Sequence, residues 1–315
     1  MTTGTMPLTD TAPQPKSAWR NAFILLLGDR FALVSLIYLV LLVTAAAIVP
    51  ELIGEEGTKI NLRQRNAPPF TLENGALYLL GGDSLGRPIL PLLLEGARTT
   101  LLIAVSVVIC SMAVGTGIGL VAGFYQRLLG AFIMRAADVI MSFPSLLMAV
   151  IVLYVLEPRA ANVVIVLGIT RLPLYIRVVR AEVLEIRERL FVESARASGA
   201  TNLRIIVLHI LPVIIPTICT VATLDFAGVM LSESSLSFLG VGVQPPTVTW
   251  GLMVAMGRNF LTSAWWLAFW PGLAILLTAL ATNLLSNWLR LAMDPMLRWR
   301  LEGTEGEEEE ERRDV

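Results

Sequence analysis

The chain has 315 residues, of which 55% are hydrophobic and only 16% charged, against about 25% charged in soluble domains. Its net charge of −1 excludes the basic footprint of a nucleic-acid binder. The composition is that of a chain built for lipid. Cys110 and Cys219 fall inside apolar runs and read as small buried hydrophobes, with no disulfide or metal pairing.

Six segments meet the roughly 17–25 apolar residues that a bilayer requires, so the expected fold is all-α and polytopic. The first is Phe31–Val49, without a charge. Its Ala45, Ala46 and Ala47 resemble a signal cleavage site. The run is nonetheless longer than the roughly 7–15 residues of a signal core and reads as a retained span. A polar stretch from Pro50 to about Arg98 follows, with Pro68–Pro69 and Gly81–Gly82 marking irregular backbone. The second span is Thr99–Phe124, in which Gly115, Gly117, Gly119 and Gly123 read as permitting close helix packing. The third is Val139–Leu156, with Pro144 near its start. The fourth is Ala160–Ile176, interrupted by Arg171. The fifth runs from near Ile205 past Asp225 to about Leu231, and the last lies within Asn259–Leu289, long enough for a surface segment and a full span. Trp265, Trp266 and Trp270 read as an interfacial belt.

Orientation follows from the short basic connections. Lys16, Arg20 and Arg30 precede the first span, and Arg127 and Arg135 lie between the second and third. Arg177, Arg180, Arg187, Arg189, Arg196 and Arg204 lie between the fourth and fifth, and Arg290, Arg298 and Arg300 follow the sixth. Six crossings put all four groups on one side, so both termini are expected in the cytoplasm. The chain then divides into a cytoplasmic lead-in (1–30), a first span with its external loop (31–98), a five-helix core containing a cytoplasmic loop at 177–204 (99–292) and an acidic tail (293–315). Five consecutive glutamates in that tail read as a solvated, disordered end.

The cytoplasmic loop is polar and charge-rich between long apolar runs, and reads as a helix–turn–helix on the membrane surface. Gly199 ends its first helix, since the position after a helix favours a left-handed residue. Thr201 or Asn202 is placed to cap the next, and Pro212 marks where the chain enters the membrane. Two charges lie at membrane depth. Asp225, mid-span, is a candidate pathway residue, whereas Arg171 reads as able to reach the interface. The single histidine, His209, has no clustered Cys, His or carboxylate beside it to form a metal site.

The run Glu193-Ser194-Ala195-Arg196-Ala197-Ser198-Gly199, followed by His209-Ile210-Leu211-Pro212, resembles the coupling loop of the membrane subunits of binding-protein-dependent ABC importers. Glu193, Ala195, Gly199, Leu211 and Pro212 match that pattern; Ser194 replaces Ala and His209 replaces Ile. Further elements resemble the branch of dipeptide, oligopeptide and nickel permeases, in its second permease type. They are Gly81-Gly-Asp83-Ser-Leu-Gly86-Arg87, Arg135-Ala-Ala-Asp138 leading to Pro144, and Glu233-Ser-Ser-Leu-Ser237-Phe-Leu-Gly240-Val-Gly242 with Trp250-Gly251 behind it. Pro88, Arg171 and Leu172 depart from the usual residues. The resemblance spans roughly Phe31 to Arg298.

The resemblance implies a type I ABC importer transmembrane fold in a prokaryotic plasma membrane. It also implies a second homologous permease, two ATPase subunits gripping the cytoplasmic loops, and an external solute-binding protein. ATP–Mg would be used by the ATPases, with no cofactor bound by this chain. The imported solute would be a di- or oligopeptide, or alternatively nickel or another small solute. Ser237 and Gly240 would shape a short external segment near the pathway.

The sequence holds no phosphate-binding loop, His-Glu-x-x-His or nucleophile elbow, so it reads as a transport subunit, not an enzyme. A self-sufficient secondary transporter would carry internal repeats and several intramembrane charges; an intramembrane enzyme would carry paired carboxylates or a metal cluster within its spans.

Overall fold

The computed structural model describes residues 26–70 and 75–293. Lys16, Arg20, Arg298, Arg300 and the acidic tail lie outside them. Among the described residues the fold is all-α, with one isolated bridge between Gly82 and Pro88. Five helices are long and apolar enough to cross a membrane: α1 (Arg30–Ile53), α2 (Ile89–Phe124), α5 (Ala160–Ile186), α7 (Asn202–Phe238) and α9 (Trp266–Met293). The third expected span is instead a bent pair, α3 (Leu128–Met141) and α4 (Ser145–Val155), broken by 82°. Pro144 is the reason: it has no N–H for the preceding turn, and its ring collides with the carbonyl four residues back. Two short helices, α6 (Leu190–Ala197) and α8 (Trp250–Gly257), lie at opposite ends of the bundle.

The helices overrun the expected spans. α2 begins ten residues before Thr99, and α7 runs on to Phe238. α5 does not stop at Ile176 but continues through Arg177 to Ile186, so the surface helix–turn–helix is shorter than the 177–204 expected for it. Hydropathy marks where lipid ends, whereas hydrogen bonding carries a helix on until a breaker or cap stops it.

Close packing at the centre follows from small residues. An added Cβ on Gly115, Gly119 or Gly123 would come within 2.6, 2.7 and 2.6 Å of the Cβ atoms of Tyr175, Val179 and Val183 respectively. Glycines spaced four apart on α2 therefore receive residues spaced four apart on α5. Gly117 has nothing within 4 Å and takes no part. Around this core, side chains such as Leu41, Leu102 and Ile151 are exposed, as expected of surfaces solvated by lipid. Cys110, expected to be buried, is among the exposed residues.

The stretch between α1 and α2 is an ordered cap. Among its described residues, 3-10 turns at Gly54–Gly57, Leu62–Gln64 and Ala76–Tyr78 organise it. Asp83 Oδ1 accepts from the backbone N–H groups of Leu85 and Arg87, both at 2.8 Å. Its Oδ2 takes Arg87 Nε at 2.8 Å and Nη2 at 2.7 Å. Gly86 sits at φ +76, and a Cβ there would meet the Asn61 carbonyl oxygen at 1.7 Å, so only glycine fits this turn. Trp266 Nε1 donates to the Gly82 carbonyl (3.2 Å) and Trp270 Nε1 to the Leu80 carbonyl (3.1 Å). Trp250 Nε1 donates to the Leu93 carbonyl at 2.9 Å. Trp266 and Trp270 are thus staples between α9 and the cap, not only members of a belt; Trp265 remains half exposed.

Candidate functional site

α6 is a short lever on a firm base. Val192 is fully buried with Val183, Ile186, Ile205 and Ile210 in a cluster under the ends of α5 and α7. On the outer side Leu190 is 79% and Leu203 71% exposed, with Phe191 at 41%. Glu193, Ser194 and Arg196 are exposed beside them. Apolar side chains fringed by charge, on an element whose other face is fixed, make a surface suited to a protein partner.

Gly199 stops α6 at φ +79. The Gly199 N–H donates to the Arg196 carbonyl (3.0 Å) and the Ala200 N–H to the Ala195 carbonyl (3.1 Å), the paired bonds of a Schellman cap. Ala195 and Ala200 pack against the buried cluster, so the cap is apolar on one side. Of the two candidate caps for the next helix, Thr201 serves: its hydroxyl accepts from the Arg204 N–H at 3.4 Å.

From Ile205 to Ile210 the chain is a π-helix, and α-helical bonding resumes at Leu211. Pro212 cannot donate to an α-helical partner, and the wider π turn accommodates that loss. Pro212 therefore adjusts the helix without ending it. His209 lies on this turn with Nδ1 at 3.5 Å from the Arg204 carbonyl. Glu193, Ser194 and Ala195 thus lie on α6 and Gly199 in the cap that ends it, while His209, Leu211 and Pro212 form the root of the helix that follows.

The other three expected residues lie elsewhere. Asp225 is buried in α7, where its Oδ2 accepts from the Tyr175 hydroxyl at 3.2 Å. Its Oδ1 faces Arg171 Nη1 at 3.5 Å. Arg171 Nη2 donates to Ser232 Oγ at 2.9 Å. Arg171 therefore does not reach for the interface, as expected of it, but ties α5 to α7. The pairing had a signal in two opposite charges at membrane depth, since such residues find partners.

Ser237 is fully buried within the last turns of α7, not in a separate external segment. Its hydroxyl donates to Glu233 Oε1 at 2.7 Å and accepts from the Val243 N–H at 3.3 Å. Glu233, 0% exposed, was not expected as a site residue, and with Ser237 it holds the 239–249 turn against α7. Gly240 begins that turn at φ +82.

The start of α1 at Arg30 and the end of α9 at Met293 both lie at the α6 end of the bundle. Arg187 Nη1 donates to the Phe124 carbonyl, so α2 ends there and starts at the cap. Gly57, just after α1, packs on Pro91 of α2, which puts the start of α1 at the α6 end. Trp266 begins α9 at the cap.

Residues 115–299 match the family of binding-protein-dependent transport system inner membrane components. The chain is 41% identical over 287 residues to the di/tripeptide transport system permease protein DppC of Pseudomonas aeruginosa, covering 91% of this chain and 94% of that one. It is 35% identical over 282 residues to the dipeptide transport system permease protein DppC of Alkalihalophilus pseudofirmus, covering 90% and 91%. With the glutathione transport system permease protein GsiD of Pectobacterium atrosepticum it shares 39% over 221 residues, covering 70% and 73%. The chain belongs to the binding-protein-dependent transport system inner membrane components, as a multi-pass permease subunit of the peptide family of ABC importers.

Proposed function

We propose that this chain imports short peptides as one of two similar permeases, with α6 as the element gripped by an ATPase subunit. The basic connections support a cytoplasmic location for the α6 end, where α1 starts and α9 ends. Two ATPase subunits then supply the free energy, ATP–Mg is theirs, and this chain carries out no catalysis. An external solute-binding protein delivers peptide to the capped end.

The observation that carries the coupling assignment is α6 itself. Leu190 and Phe191 are exposed beside Glu193, while Val192 between them is locked into the cluster on α5 and α7. A push on α6 therefore reaches α5 and α7 as motion of packed elements, the ordinary physical carrier of coupling. Nucleotide closes the ATPases, α6 moves, and the spans tilt between inward and outward access.

The test is affinity purification of this chain in mild detergent, with wild type set against Glu193→Lys and Gly199→Pro. Wild type is expected to bring down a sister permease and ATPase chains. Both variants should insert in the membrane at normal levels but lose most of the ATPase. Normal ATPase recovery with both variants removes the coupling assignment. The peptide assignment is tested separately, by ATP-dependent uptake of trialanine against nickel in proteoliposomes supplied with the binding protein.

A further inference from the structure

The end of the bundle opposite α6 holds a cavity of about 390 Å³ between the cap, the first turns of α2, and α8, within the roughly 300–1,000 Å³ of small-ligand sites. Its apolar wall includes Leu92, Met253 and Met256, and its charged lining residues are Asp83, Arg87 and Glu95. Asp83 and Arg87 neutralise one another. All four of their short contacts run within the cap turn, so the pair offers the cavity no net charge.

Glu95 is different. It is half-buried on the second turn of α2. Among the described residues, no hydrogen bond or ion pair is made to its carboxylate. The nearest cation along the helix, Arg98, is taken by Glu51 at 2.7 Å. The cavity thus has one uncompensated negative charge, set in a wall of leucine and methionine.

We propose that this cavity receives the free amino terminus of a short peptide, with Glu95 as its counter-ion. The inference rests on the peptide-import reading. A carboxylate in a partly desolvated site favours a compact ammonium that it can hold by charge-assisted hydrogen bonds. The amino terminus is the one cationic group that all linear peptides share whatever their sequence. Methionine walls suit the variable remainder, because an unbranched thioether repacks around differing side chains. Glu95 selects the charge, and Met253 and Met256 leave the side chain unselected.

The test uses the complex purified through this chain in lipid nanodiscs, without the binding protein. Binding of radiolabelled trialanine and of N-acetyl-trialanine is measured by equilibrium dialysis for wild type, Glu95→Gln and Glu95→Asp. Trialanine is expected to bind wild type and to lose about tenfold in affinity with Glu95→Gln, the loss of one charge-assisted contact. Glu95→Asp should recover part of that loss, and the acetylated peptide should bind all three forms equally weakly. Absence of trialanine binding by wild type, equal binding of the acetylated peptide, or no effect of Glu95→Gln overturns the proposal. A further arm measures capture of the liganded binding protein. If Glu95→Gln weakens that capture and leaves trialanine binding unchanged, the carboxylate serves the protein partner and the proposal fails. Uptake of trialanine by the wild-type importer with its binding protein is scored independently. Uptake with an unaffected Glu95→Gln rejects this site alone, whereas no wild-type uptake rejects the peptide reading itself.

Discussion

Arg171 and Asp225 face each other from α5 and α7 at membrane depth, 3.5 Å apart. Asp225 is buried, and 24% of the Arg171 side chain is exposed. Removing one partner strands the other charge in a poor solvent, which costs about 3 kcal/mol for a buried pair. Removing both strands no charge and leaves the smaller loss of the Tyr175 hydroxyl's acceptor. Arg171→Met and Asp225→Leu should therefore each lower the melting temperature of the detergent-purified protein, and the double variant should be more stable than either single one. Simply additive losses would show that the two side chains act independently. Each charge was legible in the sequence as an anomaly. Their partnership was not, because it depends on the registers of two helices distant in the chain. Glu233 escaped notice for a related reason. It falls in a serine-rich run at the end of a span, and its full burial against Ser237 arises only when the 239–249 turn folds back.

At the scale of the element, the packing of α2 on α5 makes a sharp contrast between neighbouring glycines. Gly119→Ala would bring its Cβ to 2.7 Å from Val179 Cβ and 3.1 Å from the Ile176 carbonyl oxygen. Neither neighbour is the end of a flexible chain, so the helices must separate, at roughly 1–3 kcal/mol. Gly117→Ala meets open space and gains helix propensity of up to about 1 kcal/mol. Thermal unfolding of the two variants should move in opposite directions, and equal shifts would refute the packing account. The glycine run was readable as a packing surface, but period alone did not separate Gly117 from the others. The bend at Pro144 divides in the same way. Proline marks a break in any helix, while the 82° angle is set by how α3 and α4 pack, including the Arg177–Asp138 contact at 2.7 Å between α5 and α3. Spans were legible because apolar length reports lipid thickness. Their ends were not, since α2, α5 and α7 continue as helices beyond the apolar stretch.

For the molecule as a whole, the question is how the cap at one end stays registered on a bundle driven from the other. The linkage is concentrated in indole donors: Trp266 and Trp270 on α9 hold the carbonyls of Gly82 and Leu80. A net hydrogen bond of this kind contributes about 1 kcal/mol, and the ring packing remains if tryptophan is replaced by phenylalanine. Trp266→Phe or Trp270→Phe should therefore raise the population of a locally opened cap roughly fivefold without unfolding the bundle. Trp265→Phe is the control, because its ring is half exposed and, among the described residues, meets the rings of Trp266 and Phe269 edge-on. The cap carries exposed trypsin sites at Lys59, Arg63 and Arg65, and cleavage there follows the opened fraction when opening and closing are fast. Cleavage should accelerate in the two staple variants, and more so in the double variant, while the control keeps the wild-type rate. Equal rates in all four would mean that the cap is held by its internal turns at Asp83 and Gly86, and that its position over α2 and α8 is independent of α9.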